Sequence, residues 1–178
     1  YDTVGVITVW AALMAIGGGA GADGMLAARG ACNVLVAGAS GGITALALCA
    51  MLSRSMDDHT AYMLYGIAAG AIAMSGCPTS VEVYEALFIG LIGGALYSVF
   101  TKVLIDKAGI DDPLEGTSYH FICGLWGTVA TGFFEEREGV FHDGDGSLLE
   151  VQLVGALCII LWGMVFSCLT FGVLAASR

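Results

Sequence analysis

The 178-residue chain is 57% hydrophobic and only 12% charged, with a formal net charge of −10. A soluble domain carries roughly 25% charged residues, so this composition excludes an ordinary water-soluble globule. The absence of any basic run excludes a nucleic-acid-binding surface.

Glycine accounts for 27 residues against two prolines, about twice its usual share of roughly 7%. Glycine inside long apolar helices permits the close backbone approach that a membrane bundle needs. The acidic residues fall between the apolar blocks, as at Asp57-Asp58, Asp111-Asp112 and Glu135-Glu136, and read as solvated connections.

A hydrocarbon core of about 30 Å needs roughly 20 helical residues to cross. Six apolar blocks meet or approach that length: Val4–Ala22, Ala31–Leu52, Thr60–Gly76, Val83–Ile105, Pro113–Phe134 and Val151–Ala176. None alternates like a barrel strand, and all are longer than the roughly 9–11 residues such a strand uses. The expectation is an all-α integral membrane protein of six transmembrane helices, with residues 1–178 forming a single transmembrane domain. No Met opens the chain and no basic n-region precedes the first block, so the first block is not a signal peptide. The expected context is the C-terminal half of a longer protein.

The first connections are short and polar. Glu135–Glu150 is the longest, and its Asp143-Gly144-Asp145-Gly146 lacks full calcium-loop spacing and reads as a turn. Helix alternation groups Arg54, Lys102, Lys107 and Arg178 on one side and Arg29 and Arg137 on the other. The positive-inside rule then makes the C-terminus cytoplasmic. Cys32, Cys49, Cys77, Cys123, Cys158 and Cys168 form no CxxC pair and read as packing residues, with a Cys32–Cys77 bridge as the alternative.

The fifth block carries the chemistry. Asp112 is expected to cap it, with Pro113 at the first helical position and Glu115 completing a capping box. His120 then lies eight residues on, roughly 12 Å into the membrane. A spacing of four aligns Gly116, His120, Gly124, Thr128 and Gly132, with Gly127 and Thr131 beside them. Ile122, Trp126, Val129 and Phe133 fill the bulkier remainder.

An ionisable side chain in a membrane is costly and marks a path or relay. The alternative is a histidine that merely bonds across a helix pair. Imidazole also changes protonation near neutral pH, which suits a substrate with a removable proton. Asn33, Glu85 and Ser118 read as helix-packing or interfacial groups. With His59 and His142 in connections and His120 alone, no paired haem ligands or metal cluster is expected. Neither an enzyme nor a cofactor or metal is therefore anticipated.

The runs Asp111-Asp112-Pro113-Leu114, His120-Phe121-Ile122-Cys123-Gly124-Leu125-Trp126-Gly127-Thr128 and Thr131-Gly132-Phe133-Phe134 resemble the signature of the ammonium transporter and methylammonium permease family, kin of the Rhesus glycoproteins. Supporting stretches are Ala61–Gly76 with Cys77-Pro78, the run Ala86–Gly94, and Asn33 with Gly41-Gly42-Ile43-Thr44. The resemblance covers essentially the whole chain.

It implies helices six to eleven of that fold, namely the second inverted repeat plus the final helix. It also implies a homotrimer in the plasma membrane, with an apolar ammonia-conducting pore in each subunit. His120 would be the second of two pore histidines, and the first would lie in the missing N-terminal half or a partner chain. Ammonium would shed its proton at the outer mouth, because a desolvated cation is too costly in an apolar pore.

Three departures stand out. The first histidine lies outside the chain. Ile16 and Ala20 occupy the family's gating-aromatic and recruiting-serine positions, which weakens cation recruitment. Phe121 stands where the family has glycine. These departures make a non-conducting sensor or structural membrane subunit the alternative to transport.

Overall fold

A computed structural model describes residues 2–52, 56–102, 107, 109 and 111–177. Among these residues the chain is helical and contains no strand. The helices are α1 (Asp2–Gly19), α2 (Gly24–Leu52), α3 (Met56–Met74) and α4 (Val83–Phe100). Next comes α5, a π-helical segment (Thr117–Ile122) running into an α-helix (Cys123–Phe134), and then α6 (Ser147–Ala176). A short 3₁₀ turn, Val140–His142, lies in the connection before α6.

Helix ends follow capping chemistry rather than hydropathy. The second helix begins at Gly24, not Ala31, because the Asp23 carboxylate accepts the amides of Met25 and Leu26 at 2.9 Å each. The sixth helix likewise starts four residues before its apolar block, at Ser147, and the third is described from Met56. The first helix stops at Gly19, three residues short of Ala22. The fourth is described to Phe100, and Ile105, Arg54 and Arg178 lie outside the described residues.

Asp143 (φ 64°) and Gly146 (φ 87°) both take left-handed backbone, and the Asp145 carboxylate accepts the Ser147 amide at 2.9 Å. That is the turn expected of the Asp-Gly-Asp-Gly run.

By length and apolarity, α1, residues 24–51 of α2, α4 and α6 are each long enough to cross a membrane. Helix α3 opens on Asp57-Asp58, and α5 is divided by its change of winding.

The core is built where α2, α3 and α4 meet. Val34, Ala37, Ala71, Ala73, Met74, Val81, Ala86 and Ile89 are buried there, and Ala130 of α5 joins them. Small residues dominate because the backbones nearly touch. A Cβ at Gly94 would collide with the Gly41 carbonyl, and one at Gly90 with that of Ala37. Lipid gives no hydrophobic push between helices, so this close dispersion contact holds them together.

Two of the indole and amide groups in this core bond backbone carbonyls. Asn33 Nδ2 donates to the carbonyls of Pro78 (2.9 Å) and Val81 (2.8 Å), tying α2 to the start of α4. Trp126 Nε1 donates to Ile89 O at 3.1 Å, so this indole faces inward rather than lying on the lipid side of α5. All six cysteines are free, with Cys77 buried and Cys32 exposed, so the Cys32–Cys77 bridge is not formed.

Candidate functional site

The start of α5 differs from the expected capping box. Pro113 and Leu114 form a turn, and Glu115 takes a left-handed backbone with φ 52°. Asp112 does cap, but from further away. Its carboxylate accepts the Gly116 amide at 3.1 Å and the Thr117 amide at 2.7 Å. Bonding to the Thr117 side chain and amide holds its carboxyl below the usual range. The Glu115 carboxylate, instead of reaching back along its own chain, accepts the Tyr97 hydroxyl of α4 at 2.5 Å.

From this anchored start the backbone winds as a π-helix through Thr117–Ile122 before tightening at Cys123. A π turn takes more residues than an α turn, so it rotates the side chains that follow relative to those before it. The expected single stripe is therefore split. Gly127 packs against the Ala73 carbonyl of α3, Gly132 against Leu149 of α6, and Gly124 meets only Ile72, at 4.0 Å. Thr128 donates to the Gly124 carbonyl at 3.1 Å, within its own helix. Cys123 is buried, its thiol 3.3 Å from the carbonyls of Gly93 and Ser118.

His120 escapes this seam. Its side chain is exposed on a cavity of about 290 Å³ between α1, α3 and α5, lined by Asp2, Gly5, Val6, Val9, Tyr65, Ala68, Tyr119 and His120. Positions 2, 5, 6 and 9 are one face of α1 by helical periodicity. The His120 ring packs on Tyr119 with centroids 4.5 Å apart, and Tyr119 stacks on Tyr65 at 5.5 Å and 19°. Tyr65 and Tyr62 in turn pack against the buried Tyr97, at 6.3 and 5.6 Å. An aromatic cluster thus links the imidazole to the Tyr97–Glu115 bond.

Of the site residues expected from sequence, only His120 lines this cavity. Ile16 and Ala20 are exposed, and Ile16 lies seven residues, or roughly 10 Å, further along α1 than Val9. Gly124 and Thr128 serve α5 itself. The tyrosines and Asp2 were missed. The i, i+3 spacing of Tyr62 and Tyr65 was the available signal for an aromatic face.

The opposite end of the bundle is ionic. Arg29 donates to Val81 O at 3.0 Å and to Glu82 at 3.3 Å, and it pairs with Glu136. The bond from Arg29 holds the Glu136 carboxyl below its usual range. Beside it, Glu85 is buried and its carboxylate accepts the Glu82 amide at 2.8 Å. The other oxygen of Glu85 lies 2.7 Å from Nε2 of His142. Arg29 and Arg137 therefore belong to the same end, as helix alternation requires.

The family model described as Ammonium Transporter Family matches residues 3–177. The chain belongs to this family.

An Ammonium transporter 3 of Dictyostelium discoideum is 30% identical over 156 residues, covering 82% of this chain and 36% of its own length. A putative ammonium transporter of Synechocystis is 33% identical over 136 residues, covering 76% and 29%. The chain thus spans about a third of the curated relatives it matches. The fold is similar to that of Saccharomyces cerevisiae Mep2, with a TM-score of 0.87 at 22% identity, covering 97% of this chain and 41% of that one. It is equally similar to a structure titled Sensor Amt Protein, with a TM-score of 0.86 at 23% identity, covering 99% and 44%. This family member is an integral membrane protein with the helical fold of those two structures.

Proposed function

We propose that the chain is the C-terminal half of an ammonium transporter and that His120 lines its conducting pore. The observation that carries this reading is the position of the imidazole, exposed on a cavity whose other walls are Gly5, Val6, Val9 and Ala68 together with two tyrosines and Asp2. Apolar walls reject a fully hydrated ion, since stripping water from a cation is costly unless its charge is met. Neutral ammonia passes such walls, and an imidazole supplies the one group able to take or return its proton near neutral pH. The names of the relatives agree in substrate.

In this reading a second histidine comes from a part of the protein outside the chain and completes the pair with His120. The homotrimer, the plasma-membrane location and a cytoplasmic C-terminus belong to the same proposal. Gly124 and Thr128 support the pore wall from within α5, and Ile16 and Ala20 stand at its outer gate.

A second reading, a family member that senses ammonium rather than conducting it, is favoured by two observations. Ile16 and Ala20 lack the ring and hydroxyl that recruit a cation, and the fold matches the structure titled Sensor Amt Protein.

The two readings part in cells that have lost their own ammonium uptake. Expressing the full-length source protein should restore growth on low ammonium, and His120→Ala should reduce growth or change methylammonium sensitivity. A well-expressed wild-type protein that restores nothing would favour the sensor.

A further inference from the structure

The π segment of α5, Thr117–Ile122, is not a winding that its own residues favour. Such turns are rare and occur mostly as single insertions within α-helices. Just before it, Glu115 takes a left-handed backbone with φ 52°, which glycine or asparagine adopts more readily than glutamate. Ser118 is fully buried, and its hydroxyl finds no hydrogen-bond partner among the described residues. In an ordinary α-helix a serine hydroxyl can bond the carbonyl four residues back. Each of these features is locally unfavourable, and such features persist where the surrounding structure over-determines them.

Contacts on both sides of the segment do so. Beyond it, Trp126 Nε1 donates to Ile89 O of α4 at 3.1 Å, and a Cβ at Gly127 would collide with the Ala73 carbonyl of α3. Before it, the Tyr97 hydroxyl of α4 donates to the Glu115 carboxylate at 2.5 Å. Tyr97 is buried and packed by Tyr62 and Tyr65 of α3, so it cannot follow a partner that moves. Between these fixed points the π turn absorbs chain that α-winding would not. An α-helix turns by about 100° per residue, so rewinding by a single residue swings His120 away from its cavity.

We propose that Tyr97 and Glu115 are positioning residues for the pore imidazole: their bond holds the π winding that keeps His120 on the cavity between α1, α3 and α5. The proposal rests on the transport reading for what His120 does there. Neither Tyr97 nor Glu115 is among the residues that line the cavity, so both act through the backbone of α5. Without the bond, Glu115 has less to hold it left-handed and the segment rewinds as an α-helix. The Ser118 hydroxyl then gains a carbonyl within its own helix.

The test pairs ammonium-driven uptake by proteoliposomes of the full-length protein with NMR of its ¹³C-labelled histidines, the His120 signal being assigned with His120→Ala. Tyr97→Phe keeps the ring and deletes the bond. It should move the His120 signal and lower uptake about tenfold, the factor that one bond to a charged group is worth. Glu115→Asn suits the left-handed backbone but is one methylene shorter, and should do the same. Glu115→Gln keeps both the length and an acceptor oxygen, and should behave as wild type. Tyr97→Phe combined with Glu115→Asn should be no worse than either alone, since both remove one bond. Trp126→Phe deletes a bond between the same two helices beyond the π segment, so it should lower thermal stability without moving the His120 signal.

A His120 signal that stays in place in Tyr97→Phe, or moves equally in Trp126→Phe, would overturn the positioning role. So would Glu115→Gln behaving like Glu115→Asn. A wild type that takes up no ammonium, with a His120 signal that still moves in Tyr97→Phe, would refute the transport reading and support the positioning.

Discussion

Helices α2 and α6 are both long, apolar and punctuated by glycine, yet they meet opposite fates. In α2, Gly41 and Ala37 lie against the backbone of α4, and Val34, Ala45 and Cys49 are buried. In α6 only Ala156 is buried, and a Cβ at Gly155, Gly163 or Gly172 would meet nothing within 4 Å. In a membrane, apolarity says that a helix can enter lipid but not which face it buries. Burial is decided by where small residues on two helices fall at the same level.

Substitutions at matched glycines make this comparison sharpest. Gly94→Leu should abolish the α2–α4 contact, because backbone rather than a flexible side chain occupies the space. The expected cost is about 3 kcal/mol or more, read as loss of the monodisperse peak in detergent gel filtration. Gly163→Leu should leave that profile unchanged. Equal tolerance at both positions would break the comparison.

Asn33→Leu is expected next in size. It strips the carbonyls of Pro78 and Val81 of their shared donor, at a cost of about 2–3 kcal/mol. Thermal unfolding of the full-length protein would register it.

A smaller effect is expected at the ionic end, where α2 is tied to the connection after α5. Glu136 has a depressed folded-state carboxyl value because Arg29 bonds it. Its contribution is therefore complete above the unfolded value of about 4.3 and is lost as pH falls through the lower folded value. Both groups are partly exposed, so the screened contribution is about 1 kcal/mol or less. Glu136→Gln should remove this acid-side step from the stability profile. A step that persists in the variant would assign it to another carboxylate.

Trp126→Phe is expected to be comparable in size, losing the bond to Ile89 O, about 1 kcal/mol, and part of a ring packed against the core, again read by thermal unfolding.

Much of this fold could be read from the sequence because a bilayer leaves few choices. Each of the six apolar runs is helical among the described residues, and a polar residue within one stands out, as His120 does. Helix starts were less legible. Hydropathy marks where lipid begins, whereas Asp23 and Ser147 show the backbone already helical, or its amides already capped, in the polar margin.

The π segment leaves no composition signal. It follows from Asp112 reaching the Thr117 amide and Glu115 turning left-handed toward Tyr97, a contact across 18 positions. That winding put His120 on the cavity and left Gly124 and Thr128 off it, which a fixed spacing of four could not foresee. The Glu85–His142 pair, 57 positions apart, is illegible for the same reason: only the meeting of α4 with the connection after α5 creates it.

The most direct measurement is ammonium-driven uptake by proteoliposomes of the full-length protein, wild type beside His120→Ala. A pore lined by this imidazole predicts a saturable wild-type response that the substitution abolishes, or converts to one that no longer separates ammonium from potassium. An identical response from both proteins would contradict the assignment of His120 to the pore.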